Sequence, residues 1–423
     1  MSGGFNSQST NPLRQRCKLF FGVPVRTGSE GRISRMSRWK SRIAAFILFL
    51  PAFALAQALP PQAIALEQQG KFEEAVKIWR EIVKKNPTDA GAYASLGVDL
   101  SRLQNYPDAA DAYKKALALN PKLQGVQLNL GLAEFKQGHF EAAAMPFHNA
   151  LAADPENMQA RTLLGLSYYG AKKFSDAVKE LEPIVQANPT NTELRSTLAQ
   201  SCLWAKDYSC ALEEFRQILQ ANPDSASAHV LAGEALDGLG KTKEAIGEFE
   251  AAAKAEAREP NLHFGLGYLY WKIDQFDDAK RELEAELLID PQNAQAFAYL
   301  GDIEMKQSNP AHAIPLLKKA TELKPDLRLA YIDLGEAYQR QKQYPDALAA
   351  LNRAVELDPA QPDAHYRLGH VYHDMGKSAD SEKEFARVRE LHQKADDDMV
   401  RKMASAPPSM NQPESQPQNQ QPN

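Results

Sequence analysis

The sequence predicts an all-α chain, a solenoid of stacked helical hairpins. Three observations carry this. Prolines recur at Pro87, Pro121, Pro155, Pro189, Pro223, Pro291, Pro325 and Pro359, eight steps of 34 residues with Ala257 filling the one vacant slot. Ten residues after each slot stands a small residue (Gly97, Gly131, Gly165, Ala199, Gly233, Gly267, Gly301, Gly335, Gly369), and twelve further on another (Ala109, Ala143, Ala177, Ala211, Ala245, Ala279, Ala313, Ala347, Ser381). The segments between are rich in Ala, Leu, Glu, Lys and Gln, which favour helix. The 423 residues are 43% hydrophobic and 24% charged, enough for a large core.

Each period reads as helix, short turn, helix, then a proline-marked turn. Glycine inside a helix costs about 1 kcal/mol against alanine, so its recurrence implies a gain, and close approach of two antiparallel helices supplies it. Leu96, Leu130, Leu164 and Leu198 precede the first small site, and Tyr113, Phe147, Leu181 and Phe215 follow the second by four. Asn or Asp precedes seven of the eight prolines, Lys324 being the exception, as suits a helix C-terminus. The proline is expected to end one helix and help begin the next, where its missing N–H matters little. Ala63 and Ala75 extend the frame upstream. At Ala257 a shifted turn is expected, with Pro260 opening the next helix.

The 34-residue length, the Leu-Gly pair, the later Ala, the aromatic beyond it and the closing Pro closely resemble the tetratricopeptide repeat family. The resemblance covers about Pro60 to Lys394. It implies a right-handed superhelical solenoid of about ten helix-turn-helix repeats, ending near Pro87, Pro121, Pro155, Pro189, Pro223, Ala257, Pro291, Pro325, Pro359 and Gln393. The first unit has an irregular leading helix, and the last, with Ser381 and Gln393 at the marker places, reads as a cap.

The resemblance implies a non-enzymatic scaffold that binds protein or peptide partners against a concave wall of leading helices. Candidate groove residues are Leu128, Leu132, Phe135, Tyr169, Leu203, Trp204, Phe264, Tyr268 and Trp271, with Asp302, Asp333, Glu336, His370 and His373 further on. Such a groove is apolar at first and polar to acidic beyond, suiting an extended segment with apolar anchors and some basic character. The competing reading is that these aromatics pack between repeats, since stripes at helical spacing are often core. Chaperone-binding members clamp a terminal carboxylate with Lys and Asn; the corresponding places hold Ala94, Val98, Leu128, Leu132, Thr162 and Leu166, so that clamp is not expected.

The stretch from Met36 to Ala58 has the parts of a signal peptide: basic Arg38, Lys40 and Arg42, an apolar Ile43 to Leu55, and Ala54-Leu55-Ala56 before Gln57. Residues 36–56 are therefore expected to direct export to the bacterial periplasm or beyond. The alternative is an uncleaved inner-membrane anchor facing the periplasm, which Pro51, Gln57, Pro60 and Pro61 disfavour. Met36 begins a complete signal by itself, so residues 1–35 read as a non-native or disordered extension. The solenoid is assigned to residues 57–394 and the end of a capping helix to 395–404. The Pro/Gln/Asn-rich residues 405–423 are expected to be disordered.

Nine of the 49 Lys/Arg and one of the 54 Asp/Glu fall in residues 1–56, so the rest of the chain carries 40 basic against 53 acidic residues. An acidic body has no footprint for phosphate backbones, so no nucleic acid is expected. Contact with a membrane is expected only through the signal segment or partners. Cys202 and Cys210 lie near each other across one antiparallel hairpin, as a disulfide or as two buried thiols. His365, His370, His373 and Asp374 lack a set of donors that completes a tetrahedral metal site. No phosphate loop, Gly-x-Ser-x-Gly elbow or His-Glu-x-x-His motif is present, so neither catalysis nor a cofactor is expected.

Overall fold

The computed structural model describes residues 61–258 and 262–405, which hold twenty α-helices and no strand. The expected signal segment, the residues before it and the tail from 406 onward lie outside the described residues. The chain divides into two compact units. The first comprises α1 (Pro61–Gln68), α2 (Phe72–Lys85), α3 (Ala90–Arg102), α4 (Tyr106–Leu119), α5 (Val126–Lys136), α6 (Phe140–Ala153), α7 (Met158–Gly170), α8 (Phe174–Ala187), α9 (Thr192–Trp204), α10 (Tyr208–Ala221), α11 (Ala226–Gly238) and α12 (Thr242–Ala255). The second comprises α13 (Leu262–Lys272), α14 (Phe276–Ile289), α15 (Ala294–Lys306), α16 (Pro310–Leu323), α17 (Arg328–Arg340), α18 (Tyr344–Leu357), α19 (Pro362–Asp374) and α20 (Ser378–Ser405). Within each unit consecutive helices pack as hairpins, and each hairpin packs on the next. Chains of this kind have local contacts only, and a core that runs along the stack.

The small-residue frame is the seam of every hairpin. A Cβ added at Gly165 would lie 2.7 Å from Leu181, one at Gly97 2.5 Å from the Tyr113 ring, and one at Gly335 2.5 Å from Leu351. The glycine thus receives the large residue sixteen positions later. The second small residue is close behind: the Ala245 and Ala279 carbonyls lie 3.2 Å from the same point on Gly233 and Gly267, and Ser381 Oγ donates to the Gly369 carbonyl at 2.8 Å. Tyr113, Phe147, Leu181, Phe215 and Phe249 are almost wholly buried against these seams.

The proline turns differ from expectation. The trailing helix stops one residue before Asn120, Asp154, Asn188 or Asn222, and each of these turns its N–H to the carbonyl four residues back. The proline follows outside the helix. The next helix starts after a separate cap two residues later: Asn157 Oδ1 accepts from Ala160 N–H at 2.9 Å, Asn191 caps Leu194, and Asp89 caps Ala92. The proline therefore stops a helix without opening the next one, because the capping residue must adopt non-helical dihedrals between them. At the vacant slot α12 still stops in phase, at Ala255, with Glu256 at φ −153° and ψ 93°, the dihedrals of Asp358 in its own turn. No shift is present at that helix end; Pro260 lies outside the described residues.

The turn inside each hairpin, where stretches such as Lys136 to Phe140 and Leu103 to Pro107 carry Gly or Asn, holds a left-handed residue. Residues Gly70, Gln104, Gly138, Lys172, Lys206, Gly240, Asp274, Ser308, Lys342 and Gly376, each 34 apart, all have φ between 59° and 80°. This left-handed residue ends the leading helix, and glycine occupies it without cost whereas Gln and Lys do not. Cys202 and Cys210 flank one such turn, with Cα atoms 5.7 Å apart, within disulfide span.

Candidate protein-docking surface

A ladder of side-chain pairs joins the two helices of several hairpins. Arg161 donates to Glu180 and to the Pro155 carbonyl, and Arg195 repeats this with Glu214 and the Pro189 carbonyl. One period on, His229 places Nδ1 2.6 Å from Glu248 and Nε2 2.8 Å from the Pro223 carbonyl. His263 with Glu282 and His365 with Glu384 continue the series in the second unit. His365 is thus a fastening between helices. Among the described residues no group of three or more His, Cys, Asp or Glu side chains converges as a metal site would require.

The expected groove residues divide by burial. Leu128, Phe135, Leu203, Tyr268 and Trp271 are each at most 7% exposed. These five pack within the stack, the competing reading for stripes of apolar side chains at helical spacing. Phe135 meets Phe140 edge-on at 5.3 Å. In the second unit Tyr268 and Trp271 surround Tyr299, and Trp271 Nε1 donates to Asp302 Oδ2 at 2.6 Å. Leu132, Tyr169 and Phe264 are half-buried. Trp204 alone of the nine is open, at 47%.

Several residues of the expected polar to acidic continuation are engaged within the stack. Asp302 is buried against Trp271, and Glu336 receives Arg340 at 2.6 Å and Arg367 at 2.5 Å. Asp333 is half-buried, and the His370 ring sits edge-on to Tyr366 and Phe385. His373, exposed, lies 3.6 Å from Asp374. Paired carboxylates project little field.

Asp99 is fully buried on α3, and neither of its oxygens has a hydrogen-bond donor among the described residues. Burial, and then the neighbouring Glu67 carboxylate, raise its pKa to about 7. Arg102, 3.7 Å away, opposes this only partly.

Around Trp204 the geometry is specific. Aromatic residues start many trailing helices, and five of them meet the residue thirty positions later, at the end of the next leading helix. Arg102 lies 4.8 Å over the Phe72 ring and Lys306 5.8 Å over Phe276, while a Cβ at Gly170 or Gly238 would strike Phe140 or Tyr208 at 2.5 Å. On Phe174 the cover is Trp204, edge-on at 4.9 Å and stacked with Tyr169 at 6.4 Å. Tyr169 also donates its hydroxyl to Gln200 at 2.7 Å. A shallow depression of about 390 Å³ lies here, lined by Lys172, Lys173, Phe174, Trp204 and Lys206 among others.

Three family models match the chain. One described as TPR repeat covers residues 340–376, one described as tetratricopeptide repeat covers 134–201, 168–235 and 304–356, and another so described covers 61–123 and 264–327. The chain belongs to the tetratricopeptide repeat family. Among solved structures it is similar to YrrB, a TPR protein with an unusual peptide-binding site, at 22% identity over 43% of this chain and 93% of that one, TM-score 0.38. It is similar to MamA (residues 41 to the end) from Desulfovibrio magneticus RS-1, at 22% identity over 40% of this chain and 96% of that one, TM-score 0.38. With the APC/C hetero-tetramer Cut9–Hcn1 it shares 15% identity over 78% of this chain and 79% of that one, TM-score 0.45. No curated protein matches significantly. Tetratricopeptide-repeat proteins are in general non-catalytic scaffolds, and membership of the family makes this chain a scaffold for protein–protein contact.

Proposed function

We propose that this protein is a non-enzymatic scaffold of the bacterial envelope, holding segments of partner proteins against its leading helices. The observation that carries it is that repeated hairpins account for the described residues, tied internally by pairs such as Arg195–Glu214 and Arg367–Glu336. What such a stack offers a partner is surface. The peptide-binding site of YrrB, a protein of similar repeats, lends weight to peptide or protein ligands. The envelope assignment rests on the signal-like Met36 to Ala58 and on the Cys202–Cys210 pair, which we take as a disulfide, a bond that persists in oxidising compartments. The narrower alternative is an assembly subunit of an envelope export or polysaccharide-secretion complex.

Affinity capture from envelope extracts tests the scaffold, with Leu132→Ala and Phe264→Ala as controls at the half-buried positions. Partners lost at unchanged melting temperature support it; partners unaffected by either variant, or none captured, count against it. N-terminal sequencing of the exported protein is expected to start at Gln57, and thiol labelling of unfolded, unreduced protein is expected to find none free at Cys202 and Cys210.

A further inference from the structure

Trp204 occupies a place where packing does not need an indole. The equivalent ends of α7 and α11 carry Gly170 and Gly238, and those of α3 and α15 carry the basic stems of Arg102 and Lys306. Each covers its aromatic neighbour and leaves no large apolar face in water. Trp204 covers Phe174 and still leaves 47% of itself exposed. Burying the remainder of an indole is favourable, at roughly 25 cal/mol per Å² of apolar surface.

The surroundings state the charge of what would cover it. Lys172 and Lys206 are both exposed, both line the depression, and neither has an ion-pair partner among the described residues. Lys173 beside them is already engaged with Glu141 at 2.7 Å. Both lysines hold the left-handed turn position, at φ 60° and 64°, where four of the other hairpins have glycine. Turns 34 residues apart thus present two unengaged lysines at the rim of the depression that Trp204 also lines, on a chain whose residues beyond 56 are acidic overall. The turn bearing Trp204 and Lys206 is the one enclosed by Cys202 and Cys210, so a bond there would hold both side chains in place.

We propose that this edge of the repeat stack docks an acidic, proline-bearing peptide segment, its proline against Trp204 and a carboxylate on each of Lys172 and Lys206. The inference rests on the scaffold function proposed above and names the partner chemistry of one part of that surface. Leading helices α7 and α9 are in contact, and packed helices lie about 8–10 Å apart. A polyproline-II segment rises about 3.1 Å per residue with three residues per turn, so carboxylates three residues apart lie on one face at about that spacing. Such segments are already extended and lose little entropy on aromatic surfaces. The two lysine contacts are charge-assisted.

The test uses the full exported chain and a synthetic peptide containing Glu-Pro-Pro-Glu, with a Lys-Pro-Pro-Lys peptide as counterpart. Binding is read by titration calorimetry and by the emission of the exposed indole. The acidic peptide is expected to bind at least tenfold more tightly than the basic one, less so as salt rises. Trp204→Ala, Lys172→Gly and Lys206→Gly are each expected to weaken it about tenfold. The two glycine variants suit the left-handed turn, so they keep the fold and their melting temperatures check that. Equal binding of the two peptides, or no change in the glycine variants, overturns the proposal. Phosphatidylglycerol vesicles that bind through the same residues while the acidic peptide does not also overturn it, in favour of a lipid surface. If envelope partners are still captured by the Trp204→Ala, Lys172→Gly, Lys206→Gly triple variant, the scaffold function stands and this docking edge falls.

Discussion

Single side chains decide how tightly these hairpins close. Gly335 has a Cβ position only 2.5 Å from Leu351, inside a buried seam. Gly335→Ala gains about 1 kcal/mol in helix propensity but loses about 1–3 kcal/mol to overpacking; Gly335→Val should lose more and have no propensity gain of that size. Urea unfolding is expected to show modest destabilisation for Ala and marked destabilisation for Val. Asp99 makes a separate prediction. In the folded chain it keeps its proton up to about pH 7, while in an unfolded chain it ionises near pH 4. The folded form therefore binds the extra proton, so stability falls as pH rises from about 4 to 7 and then levels. Asp99→Asn removes that dependence. Its melting temperature should exceed that of the natural protein by a margin that grows from pH 4.5 to pH 7.5, and a constant margin would refute the assignment.

At the scale of the hairpin, the intra-repeat turn and the side-chain ladder set local stability. Lys342 has φ 59° at a position where Gly376 has 73° in the next hairpin. Lys342→Gly should stabilise the fold by about 1 kcal/mol, the left-handed penalty of a residue with a Cβ, in chemical denaturation. His229→Arg keeps the pattern of Arg161 and Arg195 and should be nearly neutral, whereas Glu248→Ala leaves the His229 ring without its carboxylate and should cost about 1 kcal/mol. Reducing a Cys202–Cys210 bond opens a loop of only a few residues, so its loss should cost no more than about 3 kcal/mol.

Over the whole chain the repeat period is a length rule. Within each unit a hairpin contacts its neighbours and little else, so stability there is close to a sum of hairpins and interfaces. Deleting residues 156–189 removes one period and joins Pro155 to Thr190 in phase. Circular dichroism per residue should be unchanged and the melt still cooperative. Deleting 156–183 breaks the phase and should lose both; equal behaviour of the two deletions would contradict a stack of equivalent hairpins.

The helical hairpins, their number and their seams were legible in the sequence. Helix propensity, the proline stops and the Gly–Ala frame are local signals that repeat, and repetition makes a weak signal certain: Gly165 against Leu181 follows from spacing alone. What the tertiary structure decided is which side chains remain at the surface. Trp204 and Trp271 both end leading helices in an apolar run, yet one is 47% exposed and the other 2%. Exposure depends on what the neighbouring hairpin presents, Phe174 and Tyr169 in the first case, Tyr299 and Asp302 in the second. Nor could spacing show that Glu336 is spent on Arg340 and Arg367, or that a lysine at each of two turns stays unengaged among the described residues. Backbone periodicity is written one residue at a time, whereas burial and charge pairing are properties of side chains brought together from different repeats.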